Sequence, residues 1–223
     1  MKLQGDKVVY NILVIGANGG IGRQCVQMAL SAGHRVTAVL RTPSKLTLTH
    51  PNLEIVQGDI MNSASIMPCF KDKHVVISTL GVSGGLGSDK PTKLYSQGAK
   101  VIEEAAKNTG PTRAFFISAS AIEVSPVLPF FIRLIIKHIL QKILKHMYAD
   151  LRKMEQIVKD SDMNWTIIRP PKLTDQPGTG NYRVAINKFL KNCLKISRAD
   201  VAHFIIHNIA NEAIYQSAIE ISY

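Results

Sequence analysis

The chain has 223 residues, 46% apolar and 19% charged, enough to bury a core without disulfide or metal staples and too apolar for a disordered chain. Its 27 Lys and Arg against 16 Asp and Glu give a net charge of +11. The basic residues are spread along the chain without interleaved aromatics, which argues against nucleic acid and for a phosphate-bearing cofactor or an anionic substrate.

Cys25, Cys69 and Cys193 are odd in number, far apart and without a Cys-x-x-Cys pair, so a reduced cytoplasmic compartment and no structural metal are expected. The polar residues 1–7 lack a signal-peptide core, and no apolar run reaches the roughly 18–20 residues of a membrane span.

In chain order, an apolar β-like stretch over 8–15 leads into Gly16-Ala17-Asn18-Gly19-Gly20-Ile21-Gly22 and then a helical pattern over 23–32 closed by Gly33. Glycines at this first strand-to-helix turn remove the Cβ clash, let backbone N–H groups approach a pyrophosphate, and aim the helix N-terminus at it. Strands are predicted at 34–40, 53–57 and 74–80, and a long helix at 92–108 with Gly110 in the cap position. The glycine-rich residues 83–90 between them read equally as a surface loop or as a lid over a cofactor. Further strands are predicted at 113–117, 165–169 and 218–222. The alternation predicts one α/β domain, a Rossmann-type doubly wound parallel sheet of about seven strands, with ligands at the strands' C-terminal ends. Residues from about 170 to 223 are expected to contribute the substrate pocket.

Past the second strand, where a free ribose 2′-hydroxyl would call for a carboxylate, stand Arg41 and Lys45. Two cations suit a 2′-phosphate, so the expected cofactor is NADP(H). Asp59, after the third strand, either meets the adenine amino group or closes a turn. Leu80 and Gly81, after the fourth strand, fall beneath the ribose and nicotinamide.

Residues 129–146 carry a 3.6-residue period. Arg133, Lys137, Gln141 and Lys145 form a stripe widened by His138, Lys142 and His146, opposite a face of Ile, Leu and Phe. Three readings fit: a core-facing helix beside the substrate pocket with a solvated basic face, a dimer interface, or peripheral contact with a membrane. His203 and His207, four apart in a helix that Ser197 caps with Asp200 at its third position, lack a third ligand and read as structural.

The blocks 16–22, 36–45, Gly58-Asp59-Ile60, Ile117-Ser118-Ala119-Ser120, 165–171, 174–182 and 196–202 together resemble the atypical short-chain dehydrogenase/reductase group of NmrA-like NAD(P)-binding proteins, most closely the biliverdin-IXβ reductase/flavin reductase type. The resemblance implies that Gly16, Asn18, Gly19, Gly20 and Ile21 hold the phosphates, Arg41 and Lys45 the 2′-phosphate, and Asp59 and Ile60 the adenine. It also implies Ser118 and Ser120 on the nicotinamide side, where Ser118 would donate to substrate, with Pro170 and Pro171 behind.

The chain departs from the group's Tyr-x-x-x-Lys acid. Its nearest match, Tyr148 with Arg152, carries an arginine that does not titrate, and anchoring the helix on Met154 and Glu155 puts Met147 and Leu151 at the dyad positions. The expected function is therefore reduction of a flat conjugated ring, a flavin, quinone or tetrapyrrole, with a solvent-derived proton. The alternative is a non-catalytic NADP(H)-binding redox sensor of the NmrA type.

Overall fold

The computed structural model describes residues 8–82, 91–108 and 111–223, so the expectations for residues 1–7, the 83–90 loop and the Gly110 cap lie outside the described residues. The strands are β1 (Asn11–Ile15), β2 (Arg35–Leu40), β3 (Leu53–Gln57), β4 (Val75–Ser78), β5 (Arg113–Ile117), β6 (Asn164–Arg169), β7 (Lys172–Thr174), β8 (Arg183–Ile186), β9 (Lys195–Ser197) and β10 (Ser217–Ser222). One sheet runs β3-β2-β1-β4-β5-β6-β10-β8, and β7 pairs with β9 in a small parallel ribbon. Seven strands of the large sheet are parallel, as expected, and β8 adds an antiparallel eighth at its edge.

Central parallel strands are buried on both faces, which is why they read as unbroken apolar runs. In β1 alternate residues serve opposite cores. Ile12 and Val14 join Ile77, Phe115, Ile168 and Ile219 on one face. Leu13 and Ile15 join Val76, Phe116 and Ile167 on the other. Each such side chain contributes about 1.5–3 kcal/mol on burial.

The helices are α1 (Gly20–Ser31), α2 (Ser63–Ile66), α3 (Leu94–Asn108), α4 (Phe130–Ile135), α5 (Gln141–Ile143), α6 (Lys145–Lys159) and α7 (Arg198–His207). Residues of α1 and α7 cover the first face, and residues of α3 and α6 cover the second.

The 129–146 segment departs from its regular helical reading. Helix α4 runs into a π-helical turn at Ile136–Leu140 and then α5, and Leu144 breaks it from α6. Nor does its apolar side face the core: Leu144 is buried, whereas Ile135, Ile139 and Ile143 lie out in solvent. The short strands β7, β8 and β9 had no clear periodicity in the sequence, since three or four residues cannot establish one.

Ser197 caps α7 as expected, its Oγ accepting from the Asp200 N–H at 2.9 Å. Asp200 departs from the capping-box pattern, because the Ser197 N–H donates to the Tyr223 hydroxyl. The wholly buried Asp200 carboxylate instead accepts from the Thr179 and Gly180 N–H groups and from the Tyr223 hydroxyl, at 2.9, 2.8 and 2.6 Å. It thereby ties the chain's last residue and the 178–180 turn to α7.

Candidate functional site

The strand order reverses at β1, whose end, Ile15, lies opposite Val39 of β2 on one side and Ser78 of β4 on the other. A crevice opens at such a switch point because the connections leave toward opposite faces. Here it is a cleft of about 630 Å³, within the range of small-molecule sites.

The turn after β1 sets the floor of the cleft. Gly16 has φ +85°, and a Cβ there would come within 2.7 Å of the Thr79 carbonyl oxygen, so only glycine fits. Gly22 is held by close packing, since its Cβ would fall 2.3 Å from the Gly16 carbonyl oxygen. Thr79, past β4, locks the turn by donating to the Ile15 and Gly16 carbonyls at 3.0 and 3.1 Å. Helix α1 starts without a side-chain cap, which leaves the first N–H groups of Gly20 and Ile21 without helical partners at the cleft wall.

Gly16, Asn18, Gly19, Gly20, Ile21, Arg41, Lys45, Asp59, Ile60, Leu80, Gly81, Pro170 and Ser118 all line this cleft. Ser120 does not: it lies in a turn beyond β5, where its N–H donates to the Pro170 carbonyl. Asp59 lines the cleft and also closes a turn, its Oδ1 accepting from the Met61 N–H at 3.0 Å.

The cleft has two unlike halves. Beyond β2 and β3, with Arg198 over the glycine turn, it carries Arg41, Lys45 and Arg198. Arg198 lies in the 196–202 block, where no cofactor contact is expected from the sequence. Its Cδ covers Gly20 so closely that a Cβ there would meet it at 2.3 Å, and its Nη1 pairs with Asp175 at 2.7 Å. Beyond β4, β5 and β6 the wall is apolar, formed by Val82, Leu94, Met147, Leu151, Pro171 and Leu173, with Tyr95 and Ser118 as polar groups. Of the C-terminal segments, Pro170, Pro171, Leu173 and Arg198 reach the cleft. The stretch 175–180 packs instead over α1 and α7, lining a separate cavity with Gln24, Met28 and His203.

Tyr148 is 3% exposed, packs in the α3–α6 core and does not line the cleft, whereas Met147 and Leu151 do. Burial pushes its phenol up to about 12, against the nearby Arg152 charge. Tyr95, which the sequence offered no reason to select, does line the cleft. Its hydroxyl accepts from the Val82 N–H at 3.3 Å, leaving the O–H free in direction to donate. Burial raises its pKa, and the Asp150 charge adds to the rise.

Ser118 has a partner that corrects its expected role. Its hydroxyl donates to Glu155 Oε1 at 2.7 Å, and Arg169 clamps the same carboxylate through Nε at 2.9 Å and through Nη2. Burial alone would push the Glu155 carboxyl up, but the Arg169 hydrogen bonds and charge, Ser118 and Lys159 together hold it below the usual range. An ionised carboxylate only accepts, so the Ser118 proton is committed and its hydroxyl can only accept from a ligand in the cleft. Among the described residues no three His, Cys, Asp or Glu side chains gather as a metal site, and His203 and His207 stack at 3.8 Å between ring centroids.

Comparison with known proteins agrees with this cleft. The model of a family described as NAD(P)H-binding matches residues 16–212. A Bacillus subtilis protein named as the uncharacterized sugar epimerase YhfK is 30% identical over 201 residues, 89% of this chain and 87% of its own. Among solved structures, the anaerobilin reductase ChuY of Escherichia coli O157:H7 superposes with a TM-score of 0.74 at 20% identity, over 95% of this chain and 96% of its own. A short-chain dehydrogenase/reductase of Veillonella parvula in complex with NADP gives 0.75 at 17% identity, over 97% and 95%. These structural likenesses establish the Rossmann-type fold.

Proposed function

The chain belongs to the NAD(P)H-binding family, and from that premise we propose that it is an NADPH-dependent reductase of a flat conjugated ring of flavin, quinone or tetrapyrrole type. The observation that carries this reading is the division of one cleft into a basic half, with Arg41, Lys45 and Arg198, and an apolar half walled by Met147, Leu151 and Pro170.

In the basic half Arg41 and Lys45 would hold the 2′-phosphate, and the Gly20 and Ile21 N–H groups with Arg198 would hold the pyrophosphate. Asp59 and Ile60 border the adenine. When bound, the nicotinamide supplies the hydride. Met147, Leu151 and the prolines form an apolar wall that would exclude water and position a flat ring, and such positioning itself lowers the barrier. Ser118 orients an acceptor N–H or O–H through its lone pairs, and the Tyr95 hydroxyl donates to a ring carbonyl or nitrogen. The proton comes from solvent: Tyr148 is sealed in the core, and burial raises the Tyr95 pKa, so its hydroxyl hydrogen-bonds the acceptor without giving up its proton.

Steady-state NADPH oxidation with FMN, a short-chain quinone and biliverdin tests this reading. Turnover with at least one is expected, and tight NADPH binding without turnover of any would overturn it. The buried Tyr148 and committed Ser118 proton favour a second reading, an NADP(H)-binding redox sensor. That reading predicts a partner complex that forms with one oxidation state of the cofactor and not the other.

A further inference from the structure

Residues 124–149 contain no aspartate or glutamate, yet include Arg133, Lys137, Lys142 and Lys145. The same stretch turns large apolar side chains to solvent: Phe130 and Phe131 are 71% and 64% exposed, and Ile135, Ile139 and Ile143 are 52%, 53% and 51% exposed. The three isoleucines recur every four residues and form one outward stripe. The opposite side anchors the segment. Leu144 is buried, Leu140 packs against the core, and Gln141 Nε2 donates to the Ala121 carbonyl at 3.2 Å. The exposed stripe is thus part of a held element, presented by the fold.

An aliphatic stripe with two phenylalanines at one end is a surface that a soluble monomer rarely leaves uncovered. Charge selects the occupant. A second copy would bring identical acid-free basic faces together across a two-fold axis, with like charges opposed. Anionic headgroups complement both parts, since apolar side chains enter the acyl boundary while lysines and arginine reach the phosphates. The net charge of +11 draws the protein to such a surface.

We propose that residues 127–146 dock the protein peripherally on an anionic membrane, with Phe130, Phe131, Ile135, Ile139 and Ile143 in the interface and the flanking basic residues on lipid phosphates. No helix of the described residues is long and apolar enough to cross a membrane, so the contact lies in the interfacial plane. The inference stands apart from the catalytic reading, because binding is measured without turnover.

The full chain is sedimented with vesicles of phosphatidylcholine alone or mixed with phosphatidylglycerol, at low and high salt. Retention is expected on the phosphatidylglycerol vesicles and is lost at high salt. Lys142→Gln lowers the partition coefficient about fivefold, the effect of one surface charge. Ile139→Asp, at a half-exposed position away from the cleft, abolishes retention while the melting temperature and NADPH binding stay unchanged. Failure of anionic vesicles to retain the protein at low salt overturns the proposal. Retention that survives Ile139→Asp does so as well, and a dimer seen by light scattering that Ile139→Asp dissociates assigns the stripe to a second copy.

Discussion

Arg41 and Arg198 line the same cleft from different elements, and under the proposed function they would meet different parts of a dinucleotide. Arg41 follows β2, at the end of the cleft proposed for the adenosine ribose, while Arg198 covers Gly20 at the glycine turn. A charge-assisted contact contributes about 1.5–3 kcal/mol, which is about a 10- to 100-fold change in affinity. Arg41→Ala is therefore expected to weaken NADPH binding by that factor and leave NADH binding within about twofold, measured by titrating nicotinamide fluorescence. Arg198→Ala should weaken both dinucleotides equally. Equal losses for Arg41→Ala would move the 2′-phosphate elsewhere. Arg41 was legible because a strand end followed by cations is a local pattern; Arg198 was not, because it reaches the cleft from a helix nearly 180 positions after the glycines.

Two helices that lie far apart along the chain, α3 and α6, are joined by one carboxylate. Asp150, 3% exposed on α6, accepts from the Tyr95 N–H at 2.9 Å and from the Ser96 N–H and hydroxyl at the start of α3. It caps that helix from its neighbour, beside Thr92, whose Oγ1 accepts from the Leu94 N–H at 3.1 Å. Asp150→Ala leaves those buried donors unpaired, at about 1–3 kcal/mol. A drop in melting temperature of about 2–12 °C by differential scanning fluorimetry is expected for a chain of this size. An unchanged melting temperature would mean that α3 does not depend on this cap. The 129–146 element shows the converse. Its amphipathic period was visible, but the period cannot say which face meets the core, and contacts at Leu140, Gln141 and Leu144 turned the isoleucine stripe outward.

Across the whole molecule, buried carboxylates make the fold sensitive to acid. Burial would raise Asp200, but hydrogen bonds from Tyr223, Thr179, Gly180 and Ser197 hold it below the usual range, and Glu155 is likewise held down. A depressed folded pKa means that the unfolded chain binds protons first as pH falls. These two groups therefore stabilise the fold fully above the ordinary carboxylate range and lose that contribution as pH drops through their lowered values. Glu220 works in the opposite sense, because burial raises its pKa. Urea unfolding across the acid range should show stability falling most steeply below the ordinary carboxylate pKa. Asp200→Asn should flatten that fall and cost about 3 kcal/mol at neutral pH, since one amide nitrogen cannot accept from Ser197 and Tyr223. A slope unchanged by Asp200→Asn would show that the acid sensitivity resides elsewhere.

The sequence by itself determined the α/β class, most of the sheet's strands, the glycine turn and the cations past β2, because each is written in contiguous residues by period, turn chemistry or charge. Only the tertiary structure decided that Tyr148 is sealed in the core, that Glu155 claims the Ser118 proton, that Tyr95 and Arg198 enter the cleft, and that the 129–146 stripe faces water. Those outcomes depend on which distant elements pack against one another. A local pattern does not carry that information, and the sheet order supplies it.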